Sequence, residues 1–309
     1  MNHKQPLVSI ITVVRNAEDT ILRTVRSALS QKNVNFEILV WDGLSTDKTV
    51  EKLEPIKKQI SFYSGKDSGV YDAMNRSLKL AKGKWILFLN ADDYFLHDYA
   101  LEKLVSRVLD GKPDYVCGSA SMLFGLKVWR PKTLTDFDFF VGNPSNHQAY
   151  LCKKTIYEKL GGFDLRYKYA ADVDFMFRVI KEGYRGEVVP ESIVHYSLGG
   201  LSTKNVNRGV AELEQIMAKF LNSDIDFARE CRFVFHEGKI HSKSFVEKLV
   251  SVRWTESQWK QIVLNLGIKY SVESTPVFLK FVSFLNTKLR ILLKVFIFQL
   301  LRILPNRVL

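Results

Sequence analysis

Blocks of apolar residues alternate with amphipathic blocks over about the first 200 residues of the chain. The run 7–13 is continuously apolar and β-branched, as expected of a strand buried on both faces, and 36–42, 60–64 and 85–90 are three further predicted strands. Four blocks with apolar residues at helical spacing predict helices: 21–29, one from about Asp47, 70–82 and 172–182. We expect Gly83 to end the third helix as its left-handed C-terminal residue. The alternation predicts an α/β fold with helices packed on a sheet.

The same pattern divides the chain into three predicted segments. Residues 1–203 carry the strand–helix alternation, which becomes mixed after residue 115, and residues 204–275 look like several amphipathic helices. Residues 276–309 contain basic residues and no acid. Placed on a helix, the stretch 288–304 separates an apolar face from a basic one, as in helices that lie on an anionic membrane surface. A helix packed on the domain or on a second subunit is the alternative.

Composition narrows the possible compartments and partners. The chain has 309 residues, 46% of them hydrophobic, which is enough for one large domain and an appendage. Part of the net charge of +12 lies in the tail, whose apolar content favours a membrane over nucleic acid. The three cysteines are far apart, which argues for a reducing compartment and against a zinc ribbon or disulfide framework. No signal-peptide pattern is apparent, so we expect a cytoplasmic protein, peripheral on the inner face of the cell membrane.

Polar residues follow the predicted strands at their carboxyl ends, the edge at which open α/β sheets bind ligands. Asp42 ends the second strand, where its carboxylate could accept a hydrogen bond from a nucleotide base. The fourth strand runs into Asn90, Asp92 and Asp93, whose oxygen atoms suit Mg²⁺ or Mn²⁺ together with diphosphate oxygens. A turn or a helix cap is the alternative at both places.

Two helix starts carry further candidates. Asp67, Gly69 and Asn75 lie around the start of the third helix, where backbone N–H groups suit an anion. Asp172 and Asp174 begin a later helix and are two residues apart, so they point in different directions. One could cap the helix while the other faces a cleft as a general base that deprotonates a hydroxyl.

Six ordered stretches of the sequence resemble the family 2 glycosyltransferases, which have the nucleotide-sugar-dependent GT-A fold. They extend over 6–202 and read VSIITVVRN, FEILVWDGLSTDKT, DSGVYDAMNRSLKLAKGKWILFLNADD, GGFD, AADVDF and HYSLGGLS. The resemblance implies a Rossmann-like mixed sheet flanked by helices, with a C-terminal helical extension. It also implies an enzyme of the bacterial surface-polysaccharide type.

The resemblance implies roles for the matching positions. Asp172 would be the catalytic base, and Asp42 would hold the nucleotide base. The candidate ligands of the nucleotide-sugar are Val13, Arg15, Asp42, Asp67, Gly69, Asn75, Asn90 and Asp92. The candidate ligands of Mg²⁺ or Mn²⁺ are Asp92, Asp93 and His195.

Two positions depart from the family pattern. Ala171 stands at the first position of the family's paired acids, so Asp174 is the alternative base. Asn90 stands where many members have the first acid of the metal motif. A metal would therefore depend more on Asp92, on the diphosphate and on His195.

The implied activity is an inverting, metal-dependent transfer of one hexose or N-acetylhexosamine to a hydroxyl of a glycan or lipid-linked acceptor in cell-surface polysaccharide synthesis. UDP is the expected nucleotide, although guanine also offers N–H donors to Asp42. One alternative is a non-catalytic nucleotide-sugar-binding protein. Another is a relative of the processive polysaccharide synthases, although Val250 replaces the glutamine that those synthases carry in the motif.

Overall fold

The computed structural model describes residues 5–122, 127–129, 138–142, 145–198, 200 and 204–237. The predicted C-terminal helices are present over residues 206–237. The basic tail 276–309 and residues 238–275 of the predicted extension lie outside the described residues and remain predictions. Among the described helices, none combines the length and the apolar composition that crossing a membrane requires.

The chain divides into two compact units. The first comprises residues 1–135 and 143–216 and contains the whole described sheet. The second comprises residues 136–142 and 217–309.

The sheet has nine strands within the described residues. They are β1 (Val8–Val14), β2 (Phe36–Asp42), β3 (Ser61–Ser64), β4 (Trp85–Phe88), β5 (Tyr94–Phe95), β6 (Tyr115–Met122), β7 (Lys127–Trp129), β8 (Tyr150–Lys153) and β9 (Gly186–His195). Their order is β3-β2-β1-β4-β8-β6-β9-β5, with β7 paired to β6. β1 is parallel to β2 and β4, whereas β8 is antiparallel to β4 and β6. The predicted mixed sheet is thus confirmed.

Helices cover both faces of this sheet. Those of the described residues are α1 (Ile21–Leu29), α2 (Thr49–Leu53), α3 (Val70–Leu80), α4 (Ala100–Gly111), α5 (Asp138–Val141), α6 (Lys154–Leu160), α7 (Ala171–Lys181), α8 (Val206–Leu221) and α9 (Ile225–Glu237). The described residues also include two 3₁₀ helices, Glu54–Gln59 and His147–Ala149. α1 and α4 contribute to the core on one face, and α3, α6 and α7 contribute to the core on the other.

β1 is buried on both faces, as its continuous apolar run predicts. All seven of its residues are buried, and β2 and β4 pair with its two edges. Val8 and Ile10 join the core on one face, while Ile11 and Val13 join the core on the other. Full burial of each such side chain stabilises the fold by about 2 kcal/mol, so this strand anchors the sheet.

The strand register brings the loops that follow β1, β2 and β4 to one edge of the sheet. Val14 pairs with Asp42, and Ile11 pairs with Phe88. The loop after β1 and the Asn90–Asp93 segment after β4 therefore leave the sheet beside each other.

The prediction for Gly83 is wrong. α3 already ends at Leu80, and Ala81 after it is extended, with ψ 134°. Gly83 does not have the positive φ of a left-handed cap. Glycine is required at this position by the packing against β1, because an added Cβ would overlap the backbone nitrogen of Ser9. The N–H of Gly83 donates to Ser9 Oγ at 2.8 Å, which fixes this close approach.

The three cysteines are free and buried. Cys117 and Cys152 belong to the first unit, and Cys231 belongs to the second. Burial raises the pKa of the Cys152 and Cys231 thiols well above the usual range.

Candidate active site

A cleft of about 890 Å³ opens at the edge where β1 and β4 end. It is lined by the loops after these strands, the turn 145–148, the start of α7 and the first turns of α8. Six of the predicted site residues line it: Val13, Arg15, Asn90, Asp92, Asp93 and Asp172. The cleft thus brings together parts of the chain that are far apart in sequence.

Both carboxylate oxygens of Asp172 are held by side chains in the cleft. Tyr71 Oη donates to Oδ1 at 2.8 Å, and His147 Nδ1 lies 2.7 Å from Oδ2. Burial alone would raise the pKa of Asp172, but the hydrogen bond and charge of His147, with the bond from Tyr71, lower it overall. Asp172 is therefore ionised and oriented at neutral pH, as a general base must be.

His147 is a site residue that the sequence reasoning missed. Its Nε2 lies 3.3 Å from Asn90 Oδ1, so the ring bridges the segment after β4 and the start of α7. Burial and the charge of Asp172 raise the pKa of Tyr71 well above its usual range, which keeps that hydroxyl a donor. His147 and Tyr71 both lie far from Asp172 along the chain, so only their residue types, a histidine and a tyrosine, could have suggested them from the sequence.

Asp92 and Asp93 form an acidic pair in the cleft. Asp93 is 1% exposed; its Oδ1 accepts the Ser197 N–H at 2.7 Å, and its Oδ2 has no hydrogen-bond partner among the described residues. Burial and the charge of Asp92 raise the pKa of Asp93 to about 7. Burial also raises the pKa of Asp92, against the opposing charges of Arg23 and Lys204.

Four predicted nucleotide-sugar ligands do not line the cleft. Asp42 accepts bonds from Ser45 N and Ser64 Oγ, as the turn alternative describes. The carboxylate of Asp67 accepts hydrogen bonds from Trp41 Nε1 and from the Gly69 N–H. The Asn75 side chain donates to the Phe163 carbonyl and accepts the Phe163 N–H. The Gly69 N–H is therefore engaged within the chain, and roles for these four in binding remain predictions.

Asp174 and His195 also lie away from the cleft lining. Asp174 is fully buried and accepts from Arg178 Nε at 2.7 Å, while Arg178 also donates to the Leu160 and Gly162 carbonyls. This places Asp174 in a structural ion pair rather than in the position of a base. His195 stacks on Tyr94 with ring centroids 4.7 Å apart, and burial lowers its pKa.

Glu212 of α8 fixes the loop that leads into α7. Its carboxylate accepts the backbone N–H groups of Lys168, Tyr169 and Ala170 at 2.8, 2.7 and 3.0 Å. Because Asp172 follows two residues later, this clamp sets where α7 begins and thus where the carboxylate of Asp172 lies. The sequence reasoning gave no indication of it.

The sequence profile described as "Glycosyl transferase family 2" matches residues 9–166, more than half of the chain. The chain belongs to this family. The matched range includes the acidic pair and His147, and Asp172 lies six residues beyond its end.

Relatives of this glycosyltransferase include a Mycobacterium bovis protein described as a PGL/p-HBAD biosynthesis glycosyltransferase. It is 32% identical over 178 residues, which cover 56% of this chain and 69% of the relative. An Escherichia coli UDP-Glc:alpha-D-GlcNAc-diphosphoundecaprenol beta-1,3-glucosyltransferase, WfaP, is 45% identical over 92 residues, covering 29% of this chain and 37% of the relative.

Solved structures share the fold of this glycosyltransferase. S. aureus TarS 1-349 in complex with UDP-GlcNAc superimposes with a TM-score of 0.60 at 19% identity, covering 85% of this chain and 80% of that one. The mannosyltransferase PcManGT of Pyrobaculum calidifontis, in complex with GDP-Man and Mn²⁺, gives 0.58 at 15% identity, covering 86% and 81%. The predicted GT-A fold is confirmed.

Asp92 and Asp93 fit a divalent cation that substrate phosphates complete. Mg²⁺ and similar ions often take only one or two carboxylates together with phosphate oxygens. The unpartnered Asp93 Oδ2 and the neighbouring Asp92 leave acceptor capacity of this kind. Within the described residues no group of three or more His, Cys, Asp or Glu side chains is arranged to hold a metal, and the predicted part of His195 in metal binding remains a prediction.

Proposed function

We propose that this glycosyltransferase transfers a single sugar from a nucleotide-sugar, with UDP as the nucleotide, to a hydroxyl of a glycan or lipid-linked acceptor with inversion at the anomeric carbon. The observation that carries the proposal is the geometry of Asp172. Its two oxygens are held at 2.8 and 2.7 Å by Tyr71 and His147 in a cleft that also contains Asp92.

In this mechanism the acceptor hydroxyl oxygen attacks the anomeric carbon while Asp172 takes its proton. The new carbon–oxygen bond forms as the bond to the nucleoside diphosphate breaks, and the leaving group departs with the bonding electron pair. Tyr71 and His147 keep the Asp172 carboxylate ionised and aimed at the cleft. A divalent cation held by Asp92 and Asp93 would neutralise charge on the departing diphosphate.

The relatives support the choice of donor and acceptor. WfaP is named for a UDP-Glc donor and a diphosphoundecaprenol-linked acceptor, and TarS is solved with UDP-GlcNAc. A hexosyl or N-acetylhexosaminyl donor and a lipid-linked acceptor in surface-polysaccharide synthesis fit these names. Location on the inner face of the membrane through the tail 276–309 is part of the proposal and concerns residues that the structure does not describe.

Calorimetric titration with UDP, GDP, dTDP and CMP, with and without Mn²⁺, tests the nucleotide and the metal. The wild-type protein, Asp92→Ala and the matched control Asp19→Ala, an exposed acid of the same cleft, are compared. We expect UDP to bind tightly only with Mn²⁺, to lose this binding in Asp92→Ala, and to keep it in Asp19→Ala.

A nucleotide affinity that changes neither with Mn²⁺ nor in Asp92→Ala would contradict the metal-dependent part of the proposal. Preference for GDP over UDP would mean that the donor is a GDP-sugar rather than a UDP-sugar. Absence of binding to every nucleotide would overturn the proposed function.

A further inference from the structure

The floor of the cleft contains polar side chains that the protein leaves without partners. Ser145 and Gln148 are each 1% exposed and line the cleft. Ser145 Oγ and both polar atoms of the Gln148 amide have no hydrogen-bond partner in the described part of the chain, and neither has Asp93 Oδ2. Gln148 is near enough to Asp93 to lower its pKa, but without a hydrogen bond of normal geometry. We call Ser145 and Gln148 the polar floor; Asp93 beside it belongs to the proposed metal site.

An unpartnered polar floor is unusual because burying a polar atom without a hydrogen bond costs free energy, and folded proteins satisfy nearly all such atoms. The fold nevertheless fixes this arrangement. Asn146 Oδ1 accepts the Gln148 N–H at 3.0 Å, which shapes the turn that holds Gln148 at the cleft. A ligand that forms hydrogen bonds with these atoms would explain why the fold keeps them without partners despite the free-energy cost.

The chemistry of the polar floor suits sugar hydroxyls. An amide and a hydroxyl can each donate and accept, so together they match groups that both donate and accept. Neither Ser145 nor Gln148 carries a positive charge, which disfavours phosphate as their ligand. The floor has no apolar surface of its own for a lipid.

Its position favours the sugar that is transferred. His147 lies within the same turn and contacts both Asp172 and Asn90, and Asp93 follows Asp92. The turn that holds the floor therefore contacts the proposed base through His147, and Gln148 is near the proposed metal-binding acids. The anomeric carbon of the donor sugar must lie between the base and the departing diphosphate, so this sugar is the part of the substrate expected beside the floor.

Resting on the proposed function, we infer that Ser145 and Gln148 form a subsite that recognises hydroxyl groups of the donor sugar and so selects which hexose is transferred. Recognition of this kind discriminates strongly, because a sugar that lacks the matching hydroxyl leaves the buried groups unpaired.

The test compares Gln148→Leu and Ser145→Ala with the wild-type full chain. Affinities for UDP, UDP-glucose, UDP-galactose and UDP-GlcNAc are measured with Mn²⁺, and thermal unfolding is recorded. We expect one UDP-sugar to bind the wild type about tenfold more tightly than UDP, and each variant to lose most of that ratio while its UDP affinity stays within about twofold. The unfolding temperature should be unchanged or higher, because an unpaired buried group is removed.

Gln31→Leu is the matched control. Gln31 is also buried, but its amide is satisfied by the Ser27 and His97 carbonyls and the Leu101 N–H, away from the cleft. Its substitution should lower the unfolding temperature and leave the UDP-sugar to UDP ratio unchanged.

An unchanged ratio in Gln148→Leu, or a loss of stability equal to that of Gln31→Leu, would overturn the subsite while leaving the transferase proposal in place. A wild-type protein that binds UDP but prefers none of the three sugars would do the same. Failure to bind UDP at all would overturn the proposed function and, with it, this inference.

Discussion

The cleft has two walls that hold their polar groups in different ways. In the first wall, the loop after β1 exchanges hydrogen bonds with the loop after the adjacent β2. Asn16 Oδ1 accepts the Thr46 N–H at 2.8 Å, Asp47 accepts the Glu18 N–H at 3.1 Å, and Glu18 accepts the Lys48 N–H at 2.8 Å. Each side chain is satisfied by the backbone of a neighbouring loop.

In the second wall, formed by the turn 145–148, the start of α7 and α8, side chains hold one another across long stretches of chain. Asp172 depends on His147 and Tyr71, which are 25 and 101 residues away. The same wall contains the unpartnered groups of the turn. Satisfied groups mainly stabilise a loop, whereas oriented or unsatisfied groups remain available to a ligand, so we expect first-wall substitutions to affect stability and second-wall substitutions to affect turnover.

The largest effect is expected from Asp172→Asn. Loss of a general base should lower kcat by about 10² to 10⁴, with nucleotide affinity and the unfolding temperature nearly unchanged. Steady-state kinetics, calorimetry and thermal unfolding measure the three quantities. A protein that only binds nucleotide-sugars would have no turnover to lose.

The matched control is Asp174→Asn, the same change two residues along α7. Because Asp174 is fully buried against Arg178, the free energy of unfolding should fall by about 3 kcal/mol. Folded Asp174→Asn should keep its kcat. Loss of kcat in this variant, with Asp172→Asn active, would make Asp174 the base.

A smaller effect is expected from His147→Ala. His147 lowers the pKa of Asp172, so its removal should raise that pKa and move the acid limb of the kcat/KM profile to higher pH. The rate at neutral pH should fall by about tenfold, since the carboxylate loses the contact that orients it. Activity measured against pH checks this, with exposed His97→Ala as the control. An acid limb that does not move would contradict the role of His147.

The smallest effect is expected from Glu212→Gln. The amide keeps the size but weakens the bonds from Lys168, Tyr169 and Ala170, so kcat should fall by a few fold and the free energy of unfolding by about 2 kcal/mol. Glu18→Gln makes the same change in the first wall and should alter stability without altering kcat. Equal losses of kcat in both variants would remove the distinction between the walls.

Sequence reasoning predicted the first half of the fold because its signals are local. Apolar runs such as 7–13 and 36–42 define parallel strands, and parallel strands place their carboxyl ends at one edge. The acidic pair after β4 could therefore be placed at that edge, whereas the role of Asp172 came from the family resemblance. Gly83 was misinterpreted because its requirement comes from a neighbouring strand rather than from its own helix.

The second wall could not be predicted in the same way. His147 reaches Asn90 because β8 pairs antiparallel to β4, and no local pattern indicates that pairing. Glu212 looks like an ordinary acid on an amphipathic helix until its three backbone donors are known. Asp174 could have been recognised as structural, since Arg178 lies four residues later on the same helix.

The buried thiols give this protein an internal reporter of unfolding. Burial shields all three sulfur atoms from a thiol reagent, and it keeps the Cys152 and Cys231 thiols protonated, so alkylation must wait for the structure to open. Cys117 and Cys152 report on the first unit, and Cys231 reports on the second. Peptide-resolved alkylation in rising urea therefore gives two unfolding curves from one unmodified chain, and their midpoints measure how cooperatively the two units unfold.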